Sequence, residues 1–336
     1  MNHALRRYPI DICRQRKEER VVIGNAGIVR VLKVGARVTH LSEDDLCLVF
    51  PSAVSDDLGF MELAHAYDAP RTVGLLAKRT KLHYRSLIPV PSLDRHSVEQ
   101  WAAFSARFIT AWANWKLAYG VWKLLHPKAT SGYQPFVWGW GGGVALAELL
   151  LARIHGFPAA MTASSQQRLT MIKQLGIDAV DRRQFPDLDF RPASFETDPK
   201  YRTRYMQSEM TFLEIIGEKT RREGVSIFVE MIGLPVFRAT LKSLARPAVL
   251  TTAGWKEGMD LSFLRAIECK KWHVHVHTHF ARYEDGLEAV AFAEQTGWMA
   301  PDEQQRWKWD NIPALATEFF LGRTNPLFPL YEINPF

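Results

Sequence analysis

Gly139-Trp140-Gly141-Gly142-Gly143-Val144-Ala145 is the stretch whose residue types and spacing point most directly to chemistry. It follows a short apolar run, Tyr133 to Trp138, and opens a segment, Leu146 to His155, that reads as a helix. A backbone without Cβ atoms can approach a pyrophosphate, and a helix start offers free N–H groups and the positive end of its dipole. A strict G-x-G-x-x-G pattern fails, because Val144 stands sixth from Gly139. Gly139, Gly142 and Ala145 fit the looser G-x-x-G-x-x-A, with Ala145 small enough for close helix-to-strand packing. Such turns also serve packing alone. The strand before and the helix after favour a bound dinucleotide, held by Gly139, Trp140, Gly142, Gly143, Val144 and Ala145.

The next strand ends in Thr162-Ala163-Ser164-Ser165, with Arg168 soon after. A site for NAD places a carboxylate at this strand end to hold the ribose hydroxyls. None is present. Ser164, Ser165 and Arg168 suit a 2′-phosphate instead, so the expected cofactor is NADPH. Ser165 also reads as a helix cap, and the two roles are compatible.

These residues need a frame to hold them. From Tyr133 strands and helices alternate: strands at Tyr133–Trp138, Ala159–Thr162, Ser226–Glu230, Ala248–Thr252 and Trp272–Phe280. Helices fall at Leu146–His155, Gln166–Leu175, Pro235–Leu244 and Glu284–Thr296, with Gly156 and Gly176 where helix-ending glycines belong. The pattern predicts an α/β fold, a doubly wound parallel sheet with helices on both faces. Between Asp181 and Gly224 lies more chain than such a unit requires, including a helix at Tyr201–Glu223, which reads as a lid or a dimer contact. The region before about Leu93 reads as short strands, with a hairpin over Val29–Val38 and a strand after the turn at Asp44-Asp45. Ser97 to Leu125 is predicted helical with Ser97 as N-cap, its Trp and Phe stripe facing a core.

Composition bounds the rest. The chain has 336 residues, enough for two domains, and its 47% hydrophobic and 23% charged residues are ordinary for a globular protein. The longest apolar stretch, Phe136 to Ala152, is broken by glycines and Glu148, so it does not read as a membrane span. Met1 to Arg20 is basic without an apolar core, unlike a secretory signal. Cys13, Cys47 and Cys269 are odd in number and widely spaced, which fits a reducing cytoplasm. A net charge of +6 is spread along the chain without basic and aromatic interleaving, so nucleic acid is not an expected partner.

With those segments in order, the sequence resembles the medium-chain dehydrogenase/reductase superfamily, on its zinc-independent quinone oxidoreductase and enoyl reductase side. Gly24 to Val29 is similar to the turn ending that family's first catalytic-domain segment, and Val34-Gly35 through Val49 to its "VG..V..L..GD.V" stretch. Phe108-Ile109-Thr110-Ala111-Trp112 resembles its "TA" helix beside the nicotinamide, and Leu175-Gly176-Ile177-Asp178 its "LGAD" segment. Ser226 to Gly233 and Ala248 to Gly254 resemble the strand ends that approach the nicotinamide, which adds Gly233 and Gly254 to the cofactor site. The resemblance implies a mostly β, GroES-like catalytic domain over 1–120, with 314–336 returning to it. It implies a Rossmann domain over 121–313, with an insertion near 182–224. Against the family pattern the catalytic domain looks shortened at both chain ends; a start codon upstream of Met1 would be the alternative at the first.

The family's zinc-dependent members need a "GHE" histidine where this chain has Gly24-Asn25-Ala26, and a structural zinc site needs four close cysteines, so zinc is not expected. His273, His275, His277 and His279 share one face of a strand. Side chains on one straight strand diverge from a single point, so this reads as an edge or dimer-interface strand, with His279 near the cleft. The implied activity is NADPH-dependent reduction of an activated double bond in a small-molecule or carrier-bound enoyl or enone substrate, by a homodimer. Tyr8, Thr110 and His279 are the candidates for the proton or for positioning. Quinone or carbonyl reduction, or NADPH binding without turnover, are the alternatives.

Overall fold

In the computed structural model, residues 11–127, 135–254, 273–277, 281–302, 306–321, 323–324 and 326–335 are described. The chain divides into two units, Met1–Trp112 with Phe280–Phe336, and Ala113–His279.

The first unit opens with a one-turn helix, α1 (Ile12–Arg16), followed by β1 (Ile28–Arg30) and β2 (Leu46–Val49). After them come β3 (Ser52–Ser55), β4 (Met61–Ala64) and β5 (Leu87–Pro89). The strands β1, β2 and β5 form an antiparallel sheet in that order, and β3 pairs with β4. The expected hairpin over Val29–Val38 does not form. β1 pairs with β2 instead, Val29 opposite Cys47, and after Val31, whose N–H still bonds Asp45 O, the chain leaves the ladder through a turn at Gly35. Their apolar alternation has another cause: Val31, Val34 and Val38 pack with Leu41, Cys47 and Val49 in a small core. Burial pushes the Cys47 thiol up to about 11, which keeps it protonated and inert.

The long helix α2 (Val98–Leu125) starts in this unit. Ser97 caps it as expected, and its reciprocal partner is Gln100: each side chain bonds the other's backbone N–H. The aromatic stripe is core, with Trp101, Phe104 and Phe108 essentially fully buried.

The second unit carries the alternating pattern. Its elements are β6 (Val137–Trp140), α3 (Gly143–Ile154), β7 (Ala159–Ala163), α4 (Gln166–Gln174) and β8 (Asp178–Asp181). Next are α5 (Pro192–Thr197), α6 (Pro199–Lys219), β9 (Val225–Glu230), α7 (Leu234–Ser243), β10 (Leu244–Thr252) and β11 (His273–His277). Gly156 and Gly176 take positive φ after α3 and α4, as the sequence requires. The six strands form one parallel sheet in the order β11-β10-β9-β6-β7-β8. This is the doubly wound order, and the winding reverses between β6 and β9.

One face of the sheet presents Trp138, Trp140, Val180, Phe228 and Leu250 to α6 and α7. The other presents Gly139, against which Leu149 of α3 packs, and Thr251, which bonds Asn114 of α2. The stretch read as a lid or dimer contact is therefore corrected: α6 buries Tyr205, Phe212 and Ile216 in the core of the sheet's own face. Its N-terminus is Asp198, whose carboxylate accepts from Lys200 and Tyr201 N–H, and Pro199 fills the first helical position.

The final segment, expected to stay with the nucleotide-binding domain to residue 313, groups with the first unit from 280 onward. Helix α8 (Tyr283–Thr296) explains this: Gly286 lies against Ile88 and Ile109, and Phe292 packs on Trp112. After it come β12 (Arg306–Lys308), α9 (Ile312–Phe320) and β13 (Leu330–Glu332), with β12 and β13 paired in parallel. Among the described residues no helix is long and apolar enough to cross a membrane.

Candidate cofactor site

The three glycines at the end of β6 do three different jobs. Gly139 lets α3 approach, since a Cβ there would lie 3.1 Å from Leu149 Cδ1. Gly141 has φ +134°, and a Cβ on it would meet Met231 Cβ at 2.7 Å. Gly142 is exposed, and a Cβ there would have nothing within 4 Å. It is the N-cap of α3 and no side chain caps that helix start. Open space therefore meets an uncapped helix N-terminus, which is where an anionic group fits. Gly143 and Ala145 are buried in the first turn of α3, and Val144 is half-buried.

Trp140 takes part only through its backbone. Its indole is buried in the core, stacked on Phe212 at 4.8 Å between ring centres. Tryptophan and glycine alternate along β6 because successive residues face opposite sides of the sheet.

The strand end of β9 lies next to this turn, with Glu230 opposite Trp140 in register. Glu230 is essentially fully buried, and its Oε1 accepts from the backbone N–H of Ile232 (2.7 Å) and Gly233 (2.8 Å). Burial raises its pKa against those two bonds. Gly233 holds φ +108° as the residue before α7. Gly254, past the end of β10, is close to Met231 Sδ, and Ala253 N–H donates to that sulfur at 3.3 Å. The structure thus brings Gly139 to Ala145, Gly233 and Gly254 to the carboxyl ends of β6, β9 and β10, where the winding reverses. In open parallel sheets this switch point is where ligands bind.

Replacing Glu230 by alanine strands two N–H groups and is expected to cost about 1–3 kcal/mol. Glu230→Gln keeps an acceptor and should lose less than half as much; thermal melting of both variants checks this.

At the end of β7, Ser165 Oγ accepts from Arg168 N–H at 3.2 Å and caps α4. Ser164 is exposed and Arg168 half-buried. Thr110 is half-buried on the part of α2 that belongs to the first unit. Tyr8 and His279 lie outside the described residues. Among the described residues β11 stands at the edge of the sheet, with His275 edge-on to Phe237. Among the described residues no cluster of three or more His, Cys, Asp or Glu side chains could hold a metal ion.

Two groups escaped sequence reasoning. Glu230 closes the mostly apolar strand Val225–Glu230 and Met231 follows it, and the acidic residue at the strand end was the available signal. The second is a buried chain of polar groups. Thr251 Oγ1 donates to Asn114 Oδ1 at 2.8 Å, and Asn114 Nδ2 donates to Glu148 Oε1 at 2.8 Å. All three are fully buried, and Glu148 Oε2 has no hydrogen-bond partner among the described residues. Desolvation holds the Glu148 carboxyl well above the usual carboxylate range, so the neutral acid is favoured.

A doubly wound six-stranded parallel sheet and a smaller antiparallel β unit give the chain a fold shared with an alcohol dehydrogenase and with crotonyl-CoA carboxylase/reductase. The particular structures it is similar to are these. A crotonyl-CoA carboxylase/reductase in complex with NADP superposes with a TM-score of 0.75 at 19% identity, over 95% of this chain and 80% of that one. The alcohol dehydrogenase of the hyperthermophilic archaeon Aeropyrum pernix gives 0.68 at 18% identity, over 90% and 80%. A quinone oxidoreductase of Pseudomonas syringae pv. Tomato DC3000 gives 0.64 at 15%, over 93% and 82%. At these identities the likeness is one of fold. No protein-family model matches the chain, and no curated protein matches it in sequence.

Proposed function

We propose that the chain is a zinc-independent, NADPH-dependent reductase of a carbon–carbon double bond conjugated to a carbonyl, as in an enoyl thioester or an enone. The observation that carries the cofactor part of this reading is Gly142, open and exposed between β6 and the uncapped start of α3, at the switch point of the sheet. The backbone of Gly142 and Gly143 admits a pyrophosphate, and the first-turn N–H groups of α3 orient and neutralise it. Ser164 and Arg168 stand at the end of the second strand, where no carboxylate competes for the ribose, and they suit a 2′-phosphate. Bound there, NADPH supplies a hydride. The similar crotonyl-CoA carboxylase/reductase is in complex with NADP, which supports the same cofactor here.

Gly233 and Gly254, at the ends of β9 and β10, are assigned to the nicotinamide end of the site. Thr110 is the described candidate for orienting the substrate carbonyl through its hydroxyl. Hydrogen-bond donors at that carbonyl would hold the enolate that forms, and Tyr8 and His279 complete the candidates for the proton. The edge position of β11 supports a homodimer, and the sparse cysteines support a cytoplasmic enzyme.

Gly142→Val tests the site. Because open space surrounds that position, the variant should fold with its melting temperature lowered only by the poorer N-cap, while NADPH affinity, read by fluorescence titration, falls by about 100-fold or more. Turnover of NADPH against a panel of enoyl thioesters and enones tests the reaction. Tight binding with no acceptor reduced overturns the reductase reading, and tighter binding of NADH than NADPH overturns the roles of Ser164 and Arg168.

A further inference from the structure

We infer that Met231 is the positioning residue that sets the shape of the phosphate-approaching turn, by wedging Gly141 against Gly254. The inference rests on the cofactor reading above and deepens it. Met231 is buried and is the first residue past β9, at the reversal of the winding.

Three loops meet on this one side chain. On one side its Cβ and Cγ occupy the space a Cβ on Gly141 would need, at 2.7 and 3.3 Å. On another, its sulfur accepts the backbone N–H of Ala253 at 3.3 Å and would touch a Cβ on Gly254 at 3.3 Å. Its own N–H donates to Trp140 O at 3.2 Å, tying it to the residue that begins the turn. The two residues after it are clamped by the Glu230 carboxyl. Met231 is thus fixed on both sides along the chain, and its side chain is the contact shared by the ends of β6, β9 and β10.

This arrangement explains why Gly141 must be glycine although it does not face the open site. Its positive φ aims the chain from β6 into α3, and the missing Cβ is replaced by the methionine side chain. An unbranched thioether suits an irregular gap between backbone segments. Alanine keeps the Cβ that lies nearest Gly141 but removes Cγ and the sulfur, so the wedge loses the part that reaches Gly254. Ala253 N–H loses its acceptor, and the turn is free to relax away from the conformation that presents Gly142 and the helix start.

The effect should be local to the pyrophosphate, and this separates positioning from general loosening. Met231→Ala and Met231→Leu are titrated with NADPH and with adenosine 2′-monophosphate, which carries the 2′-phosphate but no pyrophosphate. For Met231→Ala, NADPH affinity should fall about tenfold while affinity for adenosine 2′-monophosphate stays unchanged. Leucine, which keeps most of the volume, should restore most of the NADPH affinity. Should the alanine variant fail to fold, Met231→Val carries the same comparison.

Equal NADPH affinity in the alanine and native proteins overturns the inference. So does an equal loss for both ligands, or a leucine variant as weak as alanine. A native protein that binds neither ligand overturns the cofactor reading and this inference together, whereas native binding with an unaffected alanine variant overturns this inference alone.

Discussion

Replacing Phe212 by alanine is expected to destabilise the second unit by about 3–5 kcal/mol, the range for removing a large aromatic from a packed core. Phe212 is fully buried, stacks on Trp140 at 4.8 Å, meets Trp138 edge-on at 5.8 Å and touches Phe185 at 5.3 Å. Such pairs add to simple area burial. The expected loss is a large share of a domain's usual net stability of about 5–15 kcal/mol. Denaturant unfolding followed by tryptophan fluorescence measures it. A loss under about 1 kcal/mol would return α6 to the status of a detachable lid. The neighbouring Glu209 points the same way. It is buried and pairs with Arg238 at 3.1 Å and with Lys242, both on α7, while Tyr205 donates to it at 3.2 Å. The extra chain after β8 is therefore bolted to the helix that follows Gly233.

The second large effect depends on pH. The Glu148 carboxyl is raised well above its ordinary value of 4.5, first by desolvation, with the Asn114 bond acting weakly the other way. A group whose pKa rises on folding binds its proton more tightly in the folded state. Its contribution is fully present below the unfolded value and is lost as pH rises through the folded value. Native stability should therefore fall above about pH 4.5, by up to about 1.4 kcal/mol per pH unit from this group. Glu148→Gln cannot ionise and still offers Asn114 an acceptor, so this part of the slope should vanish. Unfolding midpoints in urea from pH 5 to 8 for both proteins decide it. Parallel curves would mean that Glu148 does not hold its proton in the folded state.

The α/β half of the fold was legible because its signals are local. Glycines stand where β6 gives way to α3 and where α3 and α4 end, and apolar runs mark the strands. What the sequence hid was non-local. Whether Val31, Val34 and Val38 pair in a ladder or merely pack depends on β2, whose Cys47 takes the position opposite Val29. The return of the chain to the first unit depends on what α8 packs against, Ile88, Ile109 and Trp112, close to 200 residues earlier in sequence. The site divides the same way. Gly142 could be found from its spacing, whereas Met231 acquires its role only from the two glycines it touches in other loops. Glu148 was visible as a lone charge in an apolar run, but not as the end of a chain through Asn114 to Thr251.

The division of the first unit into two sequence segments, Met1–Trp112 and Phe280–Phe336, has a consequence during synthesis. Phe104 and Phe108 of the stripe find their cover on Trp298 and Phe328, which leave the ribosome only after the whole intervening unit. At ~5–20 residues per second that delay is on the order of ten to forty seconds. Nascent chains should therefore pass through a stage in which a continuous parallel sheet can already close while an aromatic seam waits uncovered upstream of it. Holdase chaperones have their natural point of attachment on that seam, and C-terminal truncations would prolong its exposure.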